Sequence, residues 1–394
     1  MNKKRLVVIL VSVVALILGA CAPAVPEPIE EAESPLVIEA KTTPEPINET
    51  DSSLDVDKSV TPEPTEEAKP ALTFEFPDTE FPLSEPGPYD YSILFDVNYI
   101  DPQRHNREVS TFIIYPSVDD QPDVRGAPFP LIICDHKIAY AATVELASHG
   151  YVVAAINKIT TGPWDEDVFE QPLDYVFVLN QLAENPPEIL TGIIDTDHVG
   201  VWGYSFGGTN SITLGGARLD PEYYLENCKN PEDFEIDYGK YTELMCWPYK
   251  NWYAFVQMAG PELTASDDGL WQPITDDRIL AVMPMSADCE WLFGPKGLAA
   301  VDKAVLMTGG TSEGVMYEEF YRTFEELGTS EKTFISFVKR DHSMINSLTI
   351  KGQLRHFAIA FFSHILKGYE DYGYYYSEAY ISQIEGLAYG WYEE

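Results

Sequence analysis

The chain has 394 residues, with 64 acidic against 25 basic side chains and a formal net charge of −39. A field of that sign repels phosphate backbones and other anionic polymers, which argues against nucleic acid as a partner and favours neutral substrates. The five cysteines and seven histidines show no metal-binding spacing, so neither a metal nor an organic cofactor is expected.

Residues 1–20 begin with the basic group Lys3, Lys4 and Arg5, continue through an apolar stretch over 6–18 and close on small residues before Cys21. A basic start, an apolar run too short to span a membrane comfortably and a small-residue exit predict a signal peptide. The tetrapeptide Leu18-Gly19-Ala20-Cys21 resembles a bacterial lipoprotein signal. That likeness implies cleavage before Cys21, lipid on its sulfur and amine, and a chain tethered to a membrane of the bacterial envelope, outside the cytoplasm. Residues 21–75 form the next segment. Between 22 and 73 there is no aromatic residue, while nine prolines and thirteen acidic residues accompany three lysines. Such a stretch buries too little apolar surface to offset its ordering entropy, so it is expected to be a disordered acidic tether. Its r.m.s. reach would be roughly 40 Å.

Residues 76–394 read as one α/β domain. Strand-like runs recur at 91–97, 108–115, 131–134, 151–156, 198–202, 279–283, 304–308 and 333–338. The first pair alternates like a hairpin joined through Asp101 and Pro102. The later runs are continuously apolar and separated by helical patterns, as a parallel sheet covered on both faces requires. An eight-stranded, mostly parallel sheet flanked by helices follows.

After the fifth run comes Gly203-Tyr204-Ser205-Phe206-Gly207, and then a stretch over 209–217 that can be helical. A serine on a sharp strand-to-helix turn presents its hydroxyl, and glycines two before and two after avoid collisions with the neighbouring elements. The segment 219–277 breaks the strand–helix alternation with five prolines, many carboxylates and aromatics including Tyr223, Tyr224, Trp247 and Trp252. It is expected to be a lid or pocket wall. A nucleophilic serine needs an acid and then a histidine downstream. Glu313 follows the buried run at 304–308, and Asp288 follows the one at 279–283, so either carboxylate could orient the base. His342 lies in a loop after the last strand and is the candidate base, whereas His356 and His364 fall in a helical pattern over 353–366. The tyrosine-rich tail from Tyr369 to Trp391 reads as aromatic packing over the domain surface, with a carbohydrate or polymer platform as the alternative.

The stretches Gly203-Tyr-Ser-Phe-Gly-Gly208, Leu146-Ala-Ser-His-Gly-Tyr-Val-Val-Ala-Ala-Ile156 and Leu306-Met-Thr-Gly-Gly-Thr-Ser-Glu313 resemble the α/β-hydrolase superfamily. The likeness is to its dienelactone-hydrolase-like and platelet-activating-factor-acetylhydrolase-like esterases, over roughly residues 89–367. It implies an α/β-hydrolase fold, a Ser205–His342–acid triad, and hydrolysis of short-acyl, lipid or polyester-like esters. Similar insertions in these esterases carry a cysteine pair. In a chain expected to be exported, Cys228 and Cys246 are therefore predicted to form a disulfide, with Cys134 and Cys289 as buried free thiols. The resemblance places oxyanion-hole donors at the backbone N–H of Phe206 and in the loop after 130–134. There Asp135-His136-Lys137 stands where those families have His-Gly, and Lys137 or Ile138 would supply the second donor. Glu313 stands where they usually have Asp. Two other readings stay open, a peptidase of the same fold and a binding lipoprotein that kept the fold without its chemistry.

Overall fold

A computed structural model describes residues 80–157, 165–233 and 239–393. The expected signal peptide, Cys21 and the tether lie outside the described residues. Ten strands form one sheet: β1 (Asp90–Asp101), β2 (Arg107–Val118), β3 (Gln121–Pro122), β4 (Phe129–Asp135), β5 (Val152–Ile156), β6 (Ile194–Tyr204), β7 (Ile279–Met285), β8 (Ala304–Gly310), β9 (Lys332–Phe337) and β10 (Leu387–Tyr389). Their spatial order is β1-β2-β5-β4-β6-β7-β8-β9-β10, with β3 beside β2. The six strands from β5 to β9 in that order are parallel. The β1, β2, β3 and β10 pairings are antiparallel, which makes the sheet mixed. Eight strands were expected. The additional β3 and β10 are two and three residues long, too short to leave an alternating or continuous apolar signature.

Alternation along each central strand builds two cores. On β4, Leu131 and Ile133 face one side while Ile132 and Cys134 face the other, and on β5 Val152 and Ala154 oppose Val153 and Ala155. The first side is covered by α2 (Asp167–Glu184), α3 (Phe206–Leu214), α6 (Glu290–Leu298) and α7 (Val315–Glu326). The second is covered by α1 (His136–Ser148) and α8 (Leu348–Lys367). Burial of a side chain such as Leu354 or Phe362 contributes about 1.5–3 kcal/mol, which explains why the long helix α8 lies flat along the sheet. The expected hairpin turn after Asp101 is fastened to α2 by charge. Arg104 pairs with Asp101 at 2.6 Å and Glu170 at 2.9 Å, and Arg107 pairs with Asp174 at 2.8 Å.

The insertion contains α4 (Pro221–Lys229) and α5 (Trp252–Thr264), with four short helical turns between them among the described residues. Asp220 caps α4 by accepting the amides of Glu222 and Tyr223 at 3.1 Å, and Pro221 fills the first helical position. Cys228 and Cys246 are disulfide-bonded, while Cys134 and Cys289 are free and buried. Burial pushes both of those thiols well above their ordinary range. Tyr224, Trp252, Phe255 and Trp271 form an aromatic cluster that reaches Trp291 of α6 and Phe169 of α2, with ring centroids 5.4 Å apart in each case. The described part of the insertion is thus a packed wall. In the tail, Tyr375 and Tyr380 close over His356 of α8 at 5.1 and 5.4 Å, the packing role expected for this aromatic run. Among the described residues no helix is long and apolar enough to cross a membrane.

Candidate active site

Every group in the candidate site sits where a parallel strand ends. β6 stops at Tyr204 and α3 starts at Phe206, so Ser205 alone makes the turn, at φ 58° and ψ −122°. A non-glycine residue in that region costs about 1–3 kcal/mol and persists only where its surroundings dictate it. Here the Ser205 amide donates to the Met285 carbonyl at 2.9 Å, locking the turn against the end of β7. The flanking glycines are required by contact. A Cβ on Gly203 would stand 1.8 Å from the Gly207 carbonyl oxygen, and one on Gly207 would stand 2.3 Å from Asp135 Oδ2.

β9 ends at Phe337, and His342 opens a short helical turn, His342–Asn346, whose N-cap Asp341 accepts the Ser343 amide at 2.9 Å. His342 Nε2 lies 3.1 Å from Ser205 Oγ, and its Nδ1 lies 2.6 Å from Glu313 Oε2. The Tyr204 hydroxyl donates to the His342 carbonyl, and its ring lies against the imidazole with centroids 4.9 Å apart. Burial and the nearby Glu313 carboxylate raise the Tyr204 phenol far above its ordinary range, so it remains a donor. With Nδ1 protonated toward the carboxylate, Nε2 is left to accept the serine proton; that tautomer is inferred from the hydrogen bonds.

Between the two candidate acids, the geometry selects Glu313. Its side chain is 2% exposed, whereas that of its partner His342 is 52% exposed, so the carboxylate is fixed from below while the imidazole faces solvent. Glu313 Oε1 accepts from Ser286 Oγ at 2.8 Å and from the Gly310 amide at 3.0 Å, which leaves Oε2 for the histidine. Asp288 is not the partner of the base. The chain turns at Ser286, with φ 50°, and Asp288 comes to lie near Glu319. Desolvation and that neighbouring carboxylate hold its pKa well above the ordinary range.

The backbone donors are resolved more finely than the sequence allowed. The Phe206 amide opens α3, at the positive end of the helix dipole. β4 runs directly into α1 with no intervening loop, so Lys137 and Ile138 occupy the first turn of a helix. The expectation that Ile138 could serve as a donor is corrected. Its amide is given to Asp135 Oδ1 at 3.1 Å, and the other carboxylate oxygen accepts the Tyr204 amide at 2.7 Å. Of the other expected donors, the Phe206 amide stands at the first position of α3 and the Lys137 amide in the first turn of α1. Asp135, Tyr204 and Ser286 escaped the sequence reading. The signal for Asp135 was its place between an apolar run and a helical stretch, the N-cap position.

A groove of about 760 Å³ between the β1–β2 turn, α2 and α5 contains none of Ser205, His342 and Glu313. The hydrogen-bonded line of Ser205, His342 and Glu313 thus lies apart from this groove. Among the described residues no group of three or more His, Cys, Asp or Glu is arranged to hold a metal ion. No family model matches the chain, and no curated protein matches it.

Proposed function

We propose that this chain is a serine hydrolase of neutral carboxylic esters, built on an α/β-hydrolase fold and working through an acyl-enzyme. The observation that carries the proposal is the continuous line from Ser205 Oγ through His342 to Glu313, at 3.1 and 2.6 Å, on a serine held at positive φ. Ser205 attacks the ester carbonyl while His342 Nε2 takes its proton, and Glu313 stabilises the imidazolium so formed. Charge developing on the carbonyl oxygen is met by the Phe206 and Lys137 amides at two helix N-termini. His342 returns the proton to the leaving alcohol, then activates water to release the acid. The net charge of −39 favours uncharged short-acyl, lipid or polyester-like esters over anionic ones. The lipoprotein-like Leu18-Gly19-Ala20-Cys21 supports a location in the bacterial envelope, anchored through Cys21.

Hydrolysis of nitrophenyl esters of increasing acyl length by the full chain, beside Ser205→Ala and His342→Ala, tests the activity. Turnover lost in both variants supports it; turnover that persists in Ser205→Ala contradicts it. Palmitate incorporation abolished by Cys21→Ala tests the anchor, and unchanged incorporation would contradict it.

A further inference from the structure

We infer that Asp135 is a positioning residue that sets the oxyanion hole, holding its two halves together with one buried carboxylate. The inference rests on the esterase reading and adds to it a group that never touches substrate. Asp135 is fully buried at the end of β4. Its Oδ1 accepts the Ile138 amide at 3.1 Å, and Ile138 adjoins Lys137 in the first turn of α1. Its Oδ2 accepts the Tyr204 amide at 2.7 Å, and Tyr204 immediately precedes Ser205 and the Phe206 donor. The two proposed donors therefore lie on separate helices, and this side chain is tied to the first turn of one, α1, and to the strand end two residues before the other, α3.

The motif glycine and the carboxylate explain each other. A Cβ on Gly207 would stand 2.3 Å from Asp135 Oδ2, so Gly207 is the opening through which the carboxylate reaches the elbow. Elsewhere in the elbow the nearest approach is to backbone, with the Gly207 carbonyl against Gly203 and the Met285 carbonyl against Gly208. Asp135 stands at the strand end where the esterases this chain resembles have His-Gly. Here the strand enters the helix directly, and a carboxylate that caps the helix and grips the elbow fixes the spacing instead.

Both oxygens accept from amides, which makes a sharp substitution available. In Asp135→Asn one oxygen becomes an NH₂ group, which cannot accept, so at most one of the two amides keeps its partner. The side chain is otherwise isosteric. A purely structural loss would lower the fraction of folded enzyme. A loosened oxyanion hole would instead lower kcat and weaken transition-state mimics, leaving KM unchanged.

The experiment uses the full chain and expresses kcat per site titrated by a fluorophosphonate, so that unfolded protein does not register. Asp135→Asn is expected to lower kcat about 10- to 100-fold, as loss of oxyanion alignment does, with KM within about twofold. It should weaken inhibition by an alkyl trifluoromethyl ketone, whose hydrate-like adduct carries the oxyanion, by a similar factor. Asp123→Asn, at another fully buried aspartate that pairs with Arg125, serves as the control and should leave kcat per site unchanged. If Asp135→Asn is too unstable to titrate, Gly207→Ala displaces the carboxylate while retaining it, and the same paired loss in kcat and ketone binding is expected. An unchanged kcat per site, or a loss confined to KM, overturns the positioning role. A wild-type chain that neither titrates nor turns over overturns the esterase reading and this inference together.

Discussion

The rim that carries Ser205, His342 and Glu313 and the insertion beside it are held by different forces. At the ends of β4, β6 and β8, placement depends on directional bonds: two amides on Asp135, amide to carbonyl at Ser205, two donors on Glu313 Oε1. In the insertion, Tyr224, Trp252, Phe255 and Trp271 pack chiefly ring against ring, the Tyr224 hydroxyl donates to the Met245 carbonyl at 3.0 Å, and a disulfide secures the loop. Directional bonds fix angles and tenths of an ångström but each contributes little net stability; aromatic burial contributes stability and tolerates shifts. Damage to the rim should therefore appear mainly in rate, and damage to the insertion mainly in stability.

Glu313→Gln breaks the rim most severely. The amide cannot hold the same histidine tautomer, and kcat should fall by about 10⁴-fold with the melting temperature nearly unchanged. Steady-state kinetics beside a thermal melt checks both halves.

Acid sharpens the contrast from the stability side. Burial lowers His149 to about 4 and His356 to about 3, and each holds the segment entering the domain, at Glu85 and Leu83 respectively. Because the folded values lie below the unfolded value near 6.5, this stability is fully present above pH 6.5. It is lost as pH falls through about 4 and then about 3, as unfolded chains bind protons that the fold refuses. Denaturation at a series of pH values should show a loss on the order of 3 kcal/mol per histidine, reduced by that amount in His356→Gln.

Reducing the Cys228–Cys246 bond, which closes a separation of 18 residues, should cost about 3 kcal/mol and lower the melting temperature. Because the bond belongs to the insertion, kcat on a small acetyl ester should change less than about twofold. A large loss of kcat on reduction would join the insertion to the rim.

The smallest effect is expected from Tyr204→Phe. It removes the hydroxyl that donates to the His342 carbonyl but keeps the ring against the imidazole. Loss of one neutral hydrogen bond, about 1 kcal/mol, corresponds to roughly a fivefold fall in kcat at constant KM. No fall would show that the ring contact alone holds the base.

The rim was legible where the constraint is local and less so where it is spatial. Gly203, Ser205 and Gly207 announce a turn by their spacing, and the collision at Gly203, with the Gly207 carbonyl, lies within five residues, whereas the one at Gly207, with Asp135, is distant in sequence. His342 followed from the required chain order and its place in a loop. Glu313 and Asp288 could not be separated, since both follow strands, and the choice depends on the turn at Ser286 that carries Asp288 away. Ile138 was misplaced as a donor because nothing in the sequence told that Asp135 accepts its amide. Of the fold, the six central strands declared themselves as apolar runs, whereas β3 and β10 depend on pairing with neighbours already in place.

The most direct test of the central claim is to treat the full chain with a fluorophosphonate and map the adduct by mass spectrometry. The account predicts a single phosphonylated site, Ser205, with labelling abolished by Ser205→Ala and strongly slowed by His342→Ala. A folded chain that takes up no probe, or carries it on another residue, would contradict it.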